Sequence, residues 1–159
     1  MQIKVNSLKE TENLAKLFAE CLDEKGIFAT LTGDIGAGKT CFIRYVLKHL
    51  NITQNITSPS FVILNEYKSE KFPIYHFDLY RLEEKGLKSI IPELREYSKP
   101  NTLTFIEWAE FGQDEIPQGA LKINVQYNEE NLDIREFSFE SEDEICKKFI
   151  EKLKDKVSL

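Results

Sequence analysis

A three-layer α/β fold is predicted for this chain, with a mixed sheet built from a parallel core and antiparallel hairpins. Three features predict it. Residues 33–40 read Gly-Asp-Ile-Gly-Ala-Gly-Lys-Thr, between a buried strand pattern at 27–31 and a helical pattern at 41–47. A second apolar, β-rich run at 102–108 carries a carboxylate, Glu107, near its end. Two pairs of strand-like segments, 61–67 with 72–77 and 121–127 with 134–139, read as antiparallel hairpins.

With 159 residues the chain suits one domain, residues 1–159, with a real core. Hydrophobic residues make up 42% and charged residues 30%, a soluble globular profile. No apolar run approaches the roughly 18 residues of a membrane span, and the first residues lack the apolar stretch of a signal peptide. Cys21, Cys41 and Cys146 are odd in number and scattered, which fits a reducing compartment better than a disulfide or zinc framework. A cytoplasmic protein with no membrane partner is the expectation, and the Asn51 and Asn55 sequons are then inert. The net charge of −6 argues against a broad nucleic-acid surface, so nucleic acid would be reached through a partner.

The elements follow in order. Residues 3–5 form a short strand, and Ser7 and Glu10 have the spacing to cap a helix reciprocally. Leu14, Leu17, Phe18, Cys21 and Leu22 give that helix an apolar stripe. Gly26 leads into the strand before the glycine-rich loop, and the polar stretch 51–59 connects the following helix to the first hairpin. Residues 83–100 are charged and helical in parts, with Pro92 as an interruption. After the second hairpin, turning at 128–131, Ser141 and Glu144 repeat the capping spacing. Ile145, Phe149, Leu153 and Val157 then line one face of a C-terminal helical extension at 141–159.

Residues 33–40 fit the phosphate-binding pattern G-x-x-x-x-G-K-[ST], which makes the fold P-loop NTPase-like. Backbone N–H groups of Gly33, Asp34, Ile35, Gly36, Ala37, Gly38, Lys39, Thr40 and Cys41 would cradle phosphates at a helix N-terminus. Lys39 would neutralise them, and the Thr40 hydroxyl would ligate Mg²⁺. Glu107, at the end of its strand, is the matching metal-directed carboxylate, and Trp108 follows it. Asp78 and Arg81 close the strand of the first hairpin; one would orient water and the other offset developing phosphate charge. Ser58 and Ser60, beside Pro59, are short hydroxyls suited to a switch loop that senses a γ-phosphate. His76 shares a side with Asp78, and a lone histidine is more often packed or capping than catalytic.

Four stretches therefore stand in order: residues 33–40, Ser58-Pro59-Ser60-Phe61, His76-x-Asp78-x-Tyr80-Arg81-Leu82, and Ile106-Glu107-Trp108. Together they resemble the bacterial TsaE (YjeE) family, the small ATPase needed for threonylcarbamoyladenosine (t6A) modification of tRNA. The likeness spans about residues 3–139. It implies ATP and Mg²⁺ as cofactors, Lys39 on phosphate, Thr40 and Glu107 on the metal, Asp78 in catalysis and Trp108 near the nucleotide. It also implies TsaD and TsaB as partners, ATP turnover that resets their complex, and contact with tRNA only through that complex. The family usually has Thr at the position of Ser60 and often Pro at that of Ala109.

Two other functions compete. A small-molecule kinase would use the same loop, but it needs a substrate-binding insertion and a lid, for which this length leaves little room. A nucleotide-gated binding module would bind partners without turnover that matters. Guanine specificity is disfavoured because no N-K-x-D element follows Glu107.

Overall fold

The computed structural model describes residues 1–57, 59, 63–82, 90–112 and 116–158. Its strands are β1 (Gln2–Val5), β2 (Gly26–Thr32), β3 (Leu64–Lys68), β4 (Pro73–Asp78), β5 (Thr102–Glu107), β6 (Leu121–Tyr127) and β7 (Arg135–Glu140). They form one seven-stranded sheet in the order β1-β7-β6-β2-β5-β4-β3. The pairs β6/β2, β2/β5 and β5/β4 are parallel, whereas β4/β3, β6/β7 and β7/β1 are antiparallel. This is the expected mixed sheet, with a parallel core and hairpins at both margins.

Alternation along the strands sorts the side chains between two faces. Leu103 and Phe105 of β5 join the large core cluster, while Ile106 joins a smaller one on the other face. The large cluster is closed by α1 (Leu8–Cys21), α2 (Lys39–His49) and α4 (Glu144–Val157). Its centre is aromatic: Phe18 lies 5.4 Å from Phe42 and 4.7 Å from Phe149, centroid to centroid. On the opposite face, among the described residues, α3 (Ile91–Glu96) and short 3-10 turns supply Leu82, Leu94 and Ala109, which cover Phe77 and Ile106.

Local signals hold in part. Ser7 caps α1 by accepting from the Glu10 N–H at 3.2 Å, but the Glu10 carboxylate takes the Asn6 N–H, one residue before the cap. Pro92 does not interrupt a helix; it sits in the first turn of α3, where its missing N–H costs nothing. Helix α4 also differs from expectation. Its cap is Asp143, which accepts from Ile145 and Cys146, because Ser141 instead donates to the Ala120 carbonyl. The buried face is accordingly Cys146, Phe149 and Leu153, and Ile145 is exposed. Far from standing apart, this helix packs against α1 and completes the core. The expected strand start at residues 61–62 and any helix over 83–89 lie outside the described residues.

Candidate nucleotide-binding site

Strand β2 ends at Thr32, and residues 33–38 turn the chain into α2. Gly33 has φ +130°, and a Cβ there would sit 2.0 Å from the Val125 carbonyl oxygen, so only glycine allows β6 so close. Ala37 is fully buried and anchors the loop in the core, whereas Asp34, Ile35 and Gly36 are exposed. Gly38, at φ 112°, is the residue before the first turn of α2. Cys41 is partly buried in that first turn.

The Thr40 hydroxyl lies 2.9 and 2.8 Å from the two carboxylate oxygens of Glu107. Glu107 is 2% exposed, and its Oε1 is also 2.7 Å from His76 Nε2. A buried carboxylate is tolerable only with such partners. The strand register explains the meeting: Asp78 pairs with Glu107 across β4 and β5, and alternation brings His76 to the same face. In sequence a lone histidine reads as packed or capping, yet the structure sets His76 directly behind Glu107. The shared side of residues 76 and 78 was the only signal for it.

Lys39 is 4% exposed, and its ammonium donates to the carbonyls of Gly33 and Asp34. It also lies 3.7 Å from the centroid of the Trp108 ring. Burial pulls its pKa down, and Glu107, Glu110, Asp78 and Asp34 oppose that shift. Trp108 adopts φ 59°, stacks on Phe111 at 5.6 Å and meets Tyr80 at 4.9 Å. The indole is thus beside the lysine at the end of the glycine-rich loop.

Asp78 is buried, and its Oδ1 accepts from the Tyr80 N–H at 3.0 Å, capping the turn Tyr80–Leu82. Arg81 is exposed on that turn. Lys39, Thr40, Glu107 and Trp108 therefore converge with Asp78 beside them, Arg81 stands at the surface, and Ser58 and Ser60 lie outside the described residues. Among the described residues, no group of three or more His, Cys, Asp or Glu side chains is arranged to hold a metal. A hydroxyl with one carboxylate still fits Mg²⁺, which keeps waters and takes substrate phosphates as ligands.

The family model "Threonylcarbamoyl adenosine biosynthesis protein TsaE" matches residues 5–137. This chain belongs to the TsaE family. It is 40% identical over 128 residues to the tRNA threonylcarbamoyladenosine biosynthesis protein TsaE of Rickettsia prowazekii, covering 80% of this chain and 87% of that one. With the Bacillus subtilis TsaE it shares 36% identity over 118 residues, 74% of this chain and 72% of the other. The crystal structure of YdiB from Bacillus subtilis superposes with a TM-score of 0.77 at 29% identity, covering 98% of this chain and 94% of that one. Since that match takes in nearly the whole chain, the likeness of fold extends past the residues matched by the family model. No helix among the described residues is long and apolar enough to cross a membrane.

Proposed function

We propose that this protein is a Mg²⁺-dependent P-loop ATPase of tRNA t6A biosynthesis, whose turnover resets a complex of TsaD and TsaB. Membership of the TsaE family supports the pathway. The observation that carries the chemistry is the contact of the Thr40 hydroxyl with both oxygens of Glu107, which joins the first turn of α2 to the end of β5 beside a glycine-rich loop.

In this reading Lys39 leaves its carbonyl acceptors for the β- and γ-phosphates, and backbone N–H groups of residues 33–41 hold their oxygens. Thr40 and Glu107 hold Mg²⁺, with Glu107 kept in place by His76. The ion, when bound, neutralises charge on the phosphate oxygens. Asp78 orients the attacking water, Arg81 offsets charge from the surface turn, and Trp108 borders the phosphates. Ser58 and Ser60 lead the switch loop, and tRNA is reached only through TsaD and TsaB.

The test is nucleotide-dependent stability and phosphate release. ATP with Mg²⁺ at about 100 times Kd should stabilise the wild type by about 2.7 kcal/mol. Lys39→Ala should melt normally yet lack that shift, and TsaB with TsaD should accelerate phosphate release from the wild type. A wild-type-sized ATP shift in Lys39→Ala removes the assignment. Partner binding without accelerated release replaces the ATPase with a nucleotide-gated module.

A further inference from the structure

The β6/β7 hairpin brings a cation to the phosphate loop that no motif marks. Arg135 opens β7, and a Cβ built on Gly38 would lie 3.3 Å from its Nε and 3.4 Å from its Cδ. The arginine therefore occupies the space that any side chain at position 38 would need. One end of the guanidinium is pinned, because Nη1 donates to the Leu132 carbonyl within the hairpin turn. That turn is itself braced: Asn128 Oδ1 accepts from the N–H groups of Glu130 and Asn131, and Asn131 Oδ1 accepts from Asp133. The arginine Nε, in contrast, is buried against the loop with no partner among the described residues.

A buried N–H of a permanent cation is costly without an acceptor, and an anion satisfies it best. The charges of this face argue in the same direction. Lys39 is already surrounded by Glu107, Glu110, Asp78 and Asp34, so a polyphosphate would add negative charge where acids outnumber that lysine. We propose that Arg135 is a further phosphate-binding cation of this site, held against Gly38 by the β6/β7 turn and donating through Nε to the phosphate chain of the nucleotide. The inference rests on the nucleotide-binding reading above.

The experiment titrates ATP, ADP and inorganic tripolyphosphate, each with Mg²⁺, into the wild type, Arg135→Gln and Arg135→Lys by calorimetry. Arg135→Gln should bind all three about ten- to a hundred-fold more weakly, the loss of a hydrogen bond to a charged group. Arg135→Lys should recover part of that loss, and the melting temperature without ligand should stay near the wild-type value. Wild-type affinity in Arg135→Gln overturns the proposal, as does weaker nucleotide binding with unchanged tripolyphosphate binding, which would assign Arg135 to the nucleoside. A lower melting temperature with unchanged affinity reduces Arg135 to a turn clamp. Should Arg135→Gln fail to fold, Arg135→Lys decides alone, because wild-type affinities for all three ligands in a lysine lacking the planar fork would exclude a specific Nε contact. A wild type that binds none of the three ligands defeats the nucleotide reading itself, and the two failures are thereby distinct.

Discussion

The parallel strands β2, β5 and β4 and the antiparallel wing of β6, β7 and β1 share one sheet and one helical layer, but they bury different chemistry. Around the parallel strands the buried polar side chains are Thr30, Lys39, His76, Asp78, Thr104 and Glu107. In the wing the buried side chains are Val5, Leu121, Ile123, Val125, Phe137 and Phe139, all apolar. Burying a carboxylate or an ammonium costs free energy that partners only partly return, whereas burying phenylalanine stabilises outright. In the proposed function the polar groups of the parallel strands face the nucleotide, and the apolar core, to which those strands also give Leu31, Ile74, Leu103 and Phe105, supplies the stability that tolerates them. Arg135, standing where the wing touches the loop, is the point at which the two roles meet.

The division can be broken at its functional end first. Asp78→Asn keeps the Oδ1 acceptor for the Tyr80 N–H, so the turn Tyr80–Leu82 and the fold should persist. ATP binding should stay near wild type while phosphate release slows about 10²- to 10⁴-fold, the usual range for a positioned acid or base. In multiple-turnover tRNA modification with TsaB and TsaD, the variant should bind the complex but not sustain cycles. Undiminished phosphate release would reduce Asp78 to a structural cap, and sustained modification by a hydrolysis-dead variant would show that binding suffices.

Much of this was legible because it is local. A strand, a glycine-rich loop and a helix follow one another within residues 26–49, so the sequence pattern and the fold coincide there. Glu107 ends β5, and an apolar run ending in an acid reads the same way in one dimension. What was not legible depends on distant neighbours. His76 is a carboxylate's partner or a merely packed residue only according to what β5 presents beside it, and Arg135 meets Gly38 across most of the chain. The α4 register failed for a similar reason: the Ala120 carbonyl engages Ser141, and no helical periodicity contains that information.

At the structural end, Phe149→Ala tests the wing and its helix. Phe149 packs at 4.7 Å on Phe18, itself fully buried, so removing the ring opens a cavity at the aromatic centre. The expected cost is about 3–5 kcal/mol of unfolding free energy, read by urea denaturation. Below the transition the variant should bind ATP with wild-type affinity, because the ring that Phe149 packs on, Phe18, belongs to α1 and not to the loop. A large loss of affinity in the folded variant would join the two regions into one functional unit.

The smallest effect separates two ways of starting α4, and it sharpens the same comparison because this helix closes the aromatic core. If Asp143 is the cap, its carboxylate satisfies the N–H groups of Ile145 and Cys146, and Asp143→Ala should cost about 1 kcal/mol. Glu144 then has no capping role. It contributes only a favourable charge in the first turn and an exposed pair with Lys147, so Glu144→Ala should cost less than Asp143→Ala. The pair is screened by salt, so at high ionic strength the Glu144→Ala cost should shrink toward zero while the Asp143→Ala cost falls less, its hydrogen bonds remaining. Denaturation midpoints of both variants at low and high salt make the measurement. A Glu144→Ala cost that equals or exceeds that of Asp143→Ala at high salt would return the cap to Ser141 with Glu144 as its reciprocal partner. Unchanged ATP affinity in both variants would keep α4 on the structural side of the molecule.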